Sequence, residues 1–345
     1  MNTLKRIGFA CKWIDTPDQV NGIKSTDPAR TFNTGTTTVA WLDRQTREIA
    51  EQRLWDLTLD NIASVRQLVR KVGNLDESLR MVRLSSDILP VYTHNSWRYF
   101  YSKPDVRALC ESGFSDIGEI ARSRNVRLSF HPGQFTVLAS DNPDIVSRSI
   151  EEFEYHADMI RWMGYGQQFQ DFKCNVHIAG RLGPAGIIAV YNKLSLEARN
   201  TLTIENEEMK HGLDDCLLLC SHGIPIVLDI HHHYIREGEY ISTSDPRFKM
   251  VVDSWRGLRP TIHYGVSRED YLANHRADIL PDLTQLLAEG YKKSKLRAHS
   301  DFYWNTACND WALTFLEYCD IMCESKGKNL ASRALYERAK ATGIL

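Results

Sequence analysis

Eight short strand-like runs, each followed by a longer stretch of helical period, fill 345 residues with no Gly/Ser-rich linker between them. That alternation, the length and the missing linker predict an α/β protein built as one (β/α)8 TIM barrel, in preference to a two-domain chain or an open sheet. The single domain is expected to span residues 1–345.

KRIGFA (Lys5–Ala10) is the first strand candidate, and the first helical pattern comes only at 48–72, so the connection from Cys11 to about Arg47 is enlarged. MVRLS (Met81–Ser85) precedes a helical pattern at 105–124, and VRLSFH (Val126–His131) precedes one at 144–163. KCNVHIA (Lys173–Ala179) and LTIEN (Leu202–Asn206) lead to patterns at 185–199 and 212–222. The last three runs are IPIVLDI (Ile224–Ile230), PTIHYG (Pro260–Gly265) and YCDIMCES (Tyr318–Ser325), with helical stretches at 245–256, 267–290 and 329–341. From Val266 to about Thr314 the connection is again enlarged. Both long loops, after strands 1 and 7, leave the carboxyl rim of a barrel, where function-bearing loops sit.

Composition narrows the class. Hydrophobic residues make up 43% and charged residues 25%, which suits a soluble globular enzyme. No apolar run approaches the ~18 residues of a membrane span, and the start MNTLKRIGFACKW lacks a secretory apolar region. A cytoplasmic, unsecreted monomer with no membrane contact is expected. Eight cysteines without CxxC spacing read as reduced, structural thiols. The net charge of −2 excludes a uniformly basic nucleic-acid binder, so any such contact must be local. KKSKLR, with Lys292, Lys293, Lys295 and Arg297, is the densest basic group; RQLVRK (Arg66–Lys71) reads as a solvated helix face.

Reactive residues in barrel enzymes come from the ends of several strands. The second strand leads to Asp87 and His94; the third ends in His131, followed by Pro132, Gly133, Gln134 and Phe135. The fourth carries His177 and the fifth Glu205. The sixth, VLDIHHHY, supplies Asp229 and His232, the seventh His263, and the eighth ends in Glu324, preceded by AHSDF with His299 and Asp301. If the chain stays extended through VLDIHHHY, its three consecutive histidines alternate between the two faces, and one of them is read as a ligand, the others as supporting or surface residues. His231, Asp87 and Asp301 are read as supporting residues. His211 is expected to face solvent, and His222 and His275 to be ordinary histidines.

Imidazole and carboxylate without thiolate suit Zn2+, Mn2+ or Fe2+, and so many groups exceed what one catalytic ion takes, so at least two ions are inferred. Such a centre serves either in-line phosphoryl displacement or sugar isomerisation, and the residues alone leave both open. Phe135 beside Gln134 on a Gly-turn loop fits a wedge against a base step, and KKSKLR fits phosphates; both lean toward nucleic acid.

The ordered motifs RLSSDILPVYTH, RLSFHPGQF, CNVHIAG, LTIENEE, VLDIHHH, AHSD and ESKGKNLA resemble those of the UV damage endonuclease family, barrel nucleases akin to endonuclease IV. The resemblance covers nearly the whole chain. It implies a DNA repair endonuclease with a manganese centre of two or three ions. Such an enzyme cuts damaged double-stranded DNA on the 5′ side of UV photoproducts (pyrimidine dimers and 6-4 photoproducts), leaving a 3′-hydroxyl and a 5′-phosphate. Carried over motif by motif, the metal ligands would be His94, His131, His177, Glu205, Asp229, His232, His263, His299 and Glu324, with Glu205, Asp229, His263 and Glu324 at the catalytic centre. Gln134 and Phe135 match the pair that probes the lesion, where a tyrosine is common in place of Phe135. Two features depart from the pattern. Thr261 stands where some members carry a lysine modified to a carboxylate, and the segment between His263 and His299 is longer, with an extra helix-like stretch. The competing readings are a sugar isomerase or epimerase, with no DNA affinity, and a damage-binding protein that leaves DNA intact.

Overall fold

The computed structural model describes residues 4–22 and 32–345. Eight parallel strands form one sheet: β1 (Ile7–Ala10), β2 (Met81–Arg83), β3 (Arg127–Phe130), β4 (Lys173–His177), β5 (Leu202–Glu205), β6 (Ile226–Val227), β7 (Thr261–Tyr264) and β8 (Asp320–Cys323). Their hydrogen-bonded order is β6-β5-β4-β3-β2-β1-β8-β7. The first and last strands therefore pair, with Ile7 opposite Ile321, and the sheet curls into a nearly closed TIM barrel. Between β6 and β7 the ladder shrinks to a bridge, Asp229 to His263, with the His263 N–H donating to the Leu228 carbonyl at 3.0 Å.

The strands are buried on both faces, and each face has its own chemistry. Outward-facing Phe130 packs on Phe172 and His156 beneath the surrounding helices. Inward, the barrel carries only a small apolar plug of Ala10, Met81 and Met322. The rest of the interior is polar: Thr203 Oγ1 donates to Asn175 Oδ1 at 2.8 Å, and Asn175 Nδ2 donates in turn to Glu205. Helix starts are set by capping side chains. Thr46, Asn142 and Asn305 accept from Ile49, Asp144 and Cys308 backbone N–H groups and open the helices Arg47–Val72, Pro143–Trp162 and Thr306–Thr314. Where elements crowd, glycine is required: a Cβ on Gly118 would lie 1.9 Å from the Met163 carbonyl oxygen.

At the amino end of the barrel, three arginines share one buried carboxylate. Asp320 takes Arg127 Nη1 at 2.7 Å and Arg259 Nε at 2.7 Å, and Arg6 Nη1 lies 3.8 Å away. These residues flank or open β1, β3, β7 and β8, so one side chain ties together strands far apart in sequence.

Four expected elements differ. The helical pattern at 185–199 is two helices, Gly183–Tyr191 and Leu196–Thr201, because Ser195 caps a fresh start by accepting from Ala198 N–H. The pattern at 212–222 is a short α-helix, Leu213–Leu217, continuing as a 3-10 helix to His222. The stretch 267–290 is helical only over Leu283–Ala288, since Pro281 disfavours helix before it and Asp282 caps the turns beyond it. The histidine run is not extended: the strand stops at Val227, and Asp229 accepts from His232 N–H at 2.7 Å, capping the helix Ile230–Glu237. The enlarged loops after β1 and β7 are present; residues 23–31 of the first lie outside the described residues. All eight cysteines are free.

Candidate metal centre

β5 ends in Glu205, which is fully buried, and the neighbouring strand ends converge on it. His131 Nε2 lies 3.1 Å and His177 Nε2 3.5 Å from Glu205 Oε2. On the other oxygen, Oε1, His263 Nδ1 stands at 3.1 Å and His232 Nδ1 at 3.6 Å. Glu324 Oε1 reaches the same His263 nitrogen at 3.3 Å and pairs with Arg83. His299 Nδ1 is 3.9 Å from Glu324 Oε2, at the edge of the cluster.

Three groups can each hold a cation: His131–Glu205–His263, His177–Glu205–His232, and Glu205–Asp229–His263–Glu324. Glu205 belongs to all three. In the third group, Glu205 Oε1, Asp229 Oδ2 and His263 Nδ1 are buried and have no hydrogen-bond partner among the described residues. Buried polar atoms are almost always satisfied, so three orphaned donor atoms facing one another fit divalent cations. The histidine tautomers fit as well. His131 Nδ1 is 3.1 Å from the Pro132 carbonyl, an acceptor that holds the proton there and leaves Nε2 free to bind.

The electrostatics reflect burial and crowding. Burial alone would raise Glu205, but His263, His177 and His131 overrule it and hold the carboxyl well below its usual range. Glu324 is likewise held well below, with Arg83 and His263 outweighing burial. Asp229 goes the other way, pushed by burial to about 7. Burial lowers His263 to about 4, so its ring is neutral and suited to ligation. His232 rises to about 9 despite burial, because Asp229, Glu205 and Glu208 surround it.

Of the sequence-derived ligands, His131, His177, Glu205, Asp229, His232, His263 and Glu324 fall in these groups. His94 is in none of them: it is half-buried in the loop after β2, where its Nδ1 accepts from Ser96 N–H at 3.3 Å. Asp87 is exposed, which does not suit a supporting role. His231 is buried with its ring 5.6 Å from that of His299. Asp301 holds Lys326 at 2.9 Å. His211 does not face solvent freely: it is half-buried, with Nε2 3.0 Å from the Gly180 carbonyl. In the basic run, Lys292 and Lys295 are exposed, Lys293 donates to the Arg236 carbonyl and Arg297 pairs with Glu208. Phe135 is 85% exposed beside exposed Gln134.

One residue escaped the sequence reading. Lys173, which opens β4, is buried and its Nζ lies 2.9 Å from His263 Nε2, and among the described residues no carboxylate is bonded to it. The available signal was spacing: Lys173, Asn175 and His177 are two apart and share one strand face. Burial pushes the ammonium from 10.5 down to about 7. Between those values the unfolded chain carries a proton that the folded protein lacks, so this group makes stability rise with pH across that window, and its cost is full below pH 7. In chelator, Lys173→Met is expected to raise the urea midpoint at pH 6 by an amount equivalent to about 1–4 kcal/mol, with the gain shrinking toward pH 10. A variant less stable than the parent at pH 6 would contradict this.

Fold and site together define the class: a (β/α)8 barrel bearing an imidazole–carboxylate centre at its carboxyl rim. A family model described as UV-endonuclease UvdE matches residues 5–341. The chain belongs to that endonuclease family. It is 29% identical over 221 residues to a UV-damage endonuclease of Neurospora crassa, covering 59% of this chain and 33% of that protein. A UV DNA damage endonuclease of Bacillus velezensis is 26% identical, covering 73% of this chain and 76% of its own length. The chain thus spans about a third of the fungal relative's length. The crystal structure of SacUVDE shares the fold, with a TM-score of 0.68 and 21% identity over 99% of this chain and 100% of that one. Among the described residues no helix is long and apolar enough to cross a membrane.

Proposed function

We propose that this protein is a metal-dependent repair endonuclease that nicks duplex DNA on the 5′ side of UV photoproducts, leaving a 3′-hydroxyl and a 5′-phosphate. The observation that carries the reading is the set of orphaned ligand atoms of Glu205, Asp229 and His263 at the rim of a family barrel. When bound, divalent cations, manganese being our choice, supply positive charge opposite the charge that develops in an in-line phosphoryl displacement. The chain's own residues do the rest. Glu205 is the shared anchor of the cluster, and His131, His177, His232 and His263 are held around it. Arg83 fixes Glu324, and the Asn175–Thr203 pair fixes Glu205. His94 and His299 are proposed as outer ligands, and Lys292, Lys295 and Arg297 as groups that attract the DNA backbone. The protein is proposed to act as a cytoplasmic monomer on DNA.

Phe135 supplies the lesion test. A phenylalanine with 85% of its surface in water, on a loop turned by the Thr136 N–H donating to the Gly133 carbonyl, has no packing role in the fold. An exposed ring of this kind stacks on an unstacked base step, and Gln134 can take up the bases' hydrogen bonds. Phe135→Ala is therefore expected to leave thermal stability unchanged while lowering kcat/KM on a photodimer duplex ~5–150-fold, the equivalent of about 1–3 kcal/mol of stacking. Equal cleavage by both proteins would remove Phe135 from the mechanism.

The deciding experiment uses an end-labelled duplex with one thymine photodimer and its undamaged twin, incubated with Mn2+ and with EDTA. A chelator-sensitive nick just 5′ of the dimer is expected. Intact DNA under several divalent metals would overturn the nuclease reading.

A further inference from the structure

Beside the cluster, sharing Glu324 and His299 with it, lies an open trough of about 530 Å3. Five cationic side chains line it: Arg83, Arg268, Arg297, Lys326 and Lys328. Four are already matched to carboxylates. Arg83 pairs with Glu324, Arg268 with Asp270 at 2.6 Å, Arg297 with Glu208 at 2.7 Å and Lys326 with Asp301 at 2.9 Å. Among the described residues the Lys328 ammonium has no hydrogen bond and no ion pair. It is nonetheless half-buried, and burial works most strongly against its charge, with Arg83 and Lys12 adding to that and Cys11 and Glu324 opposing it.

The backbone at Lys328 is also unusual. Its φ of 47° lies in the left-handed region, which a lysine adopts at a cost. The fold imposes it: Gly327 N–H donates to the Asp301 carbonyl at 2.7 Å, and a Cβ on Gly327 would meet that oxygen at 2.6 Å. Ser325, on the same wall, is 1% exposed, and its Oγ has no partner. A strained backbone that delivers an unmatched cation into a charged cavity is the pattern of a ligand clamp. With four of the five cations already paired to carboxylates, Lys328 leaves one positive charge in excess, which favours an anion, and a phosphodiester satisfies an ammonium through its two free oxygens.

Resting on the nuclease reading, we propose that Lys328 grips a backbone phosphate of the DNA strand beside the cluster, so that the strand enters the centre past Glu324. The contact is to the backbone and is blind to base sequence.

The test compares wild type, Lys328→Met, Lys328→Arg and Lys328→Gly. With Mn2+ on the photodimer duplex, Lys328→Met is expected to raise KM about tenfold and to flatten the dependence of log(kcat/KM) on log salt by about one unit, the share of a single phosphate contact. Lys328→Arg restores most of both. Lys328→Gly relieves the left-handed strain, so it should lose the grip equally while melting no lower than wild type, which separates binding from folding. Unchanged KM and salt slope in Lys328→Met would overturn the proposal. If wild type cuts nothing, the nuclease reading has failed, and filter binding of the same duplex in EDTA then decides the grip. Weaker binding with a flatter slope in Lys328→Met supports it, and equal binding overturns it.

Discussion

Glu205→Gln is expected to cut both metal retention and cleavage sharply while the barrel stays folded. The carboxylate is common to all three candidate groups, and its Oε1 is one of the orphaned atoms. A glutamine keeps the size and one oxygen but loses the negative charge that a cation shared by the surrounding imidazoles needs. The expected fall in kcat/KM is on the order of 10³-fold or more, equivalent to at least about 4 kcal/mol of transition-state stabilisation. The readout that separates this from general damage is metal content. Wild type dialysed against Mn2+ should retain two or three ions by elemental analysis and melt higher than in EDTA, because a ligand that binds only the folded state stabilises it. The variant should retain fewer ions and show a much smaller rise. A variant that holds the full complement and still cuts would mean that Glu205 is not the anchor.

The second large effect lies at the opposite end of the barrel and concerns stability alone. Asp320→Asn leaves Arg6, Arg127 and Arg259 facing one another with no counter-charge. Removing one partner from a buried charge network costs about 3–5 kcal/mol, because the remaining charges are uncompensated. The urea midpoint should fall accordingly with an unchanged slope. Mn2+ retention at low denaturant should be untouched, since the hub sits at the amino ends of the strands and the ligands at the carboxyl ends. An unaltered midpoint would show that the arginines satisfy themselves through the carbonyls they already reach, such as Arg127 Nη2 to the Arg259 carbonyl at 2.8 Å.

The contrast between these two ends also explains what could be read in advance. All eight strands were legible because each is a short apolar run with turn residues around it, and strand direction then carried His131, His177, Glu205, Asp229, His263 and Glu324 to one rim. Local patterns revealed less where a capping residue interrupts. Asp229 looks like the last residue of a strand, yet its carboxylate turns back to hold His232 N–H, and the three histidines wind round a helical turn. Ser195 and Asp282 broke helical patterns by the same chemistry. Lys173 and Asp320 were hidden for another reason: their partners, His263 and the three arginines, come from other strands, and pairing across a barrel leaves no mark on local sequence. His94 shows the reverse limit, since a motif can be in order while the loop that carries it sets the side chain in no candidate group.

The seam between β6 and β7 links architecture to loading. With its ladder reduced to one bridge there, the barrel is in hydrogen-bonding terms a curled ribbon whose two long edges nearly meet. The residues of that bridge are Asp229 and His263, both in the group that also contains Glu205 and Glu324 from neighbouring strands. A cation shared by those four side chains would span the gap like a clasp, doing between the last two staves what backbone hydrogen bonds do between the others. Part of its affinity would then go into closing the cylinder, and the chelated protein would breathe along this one line.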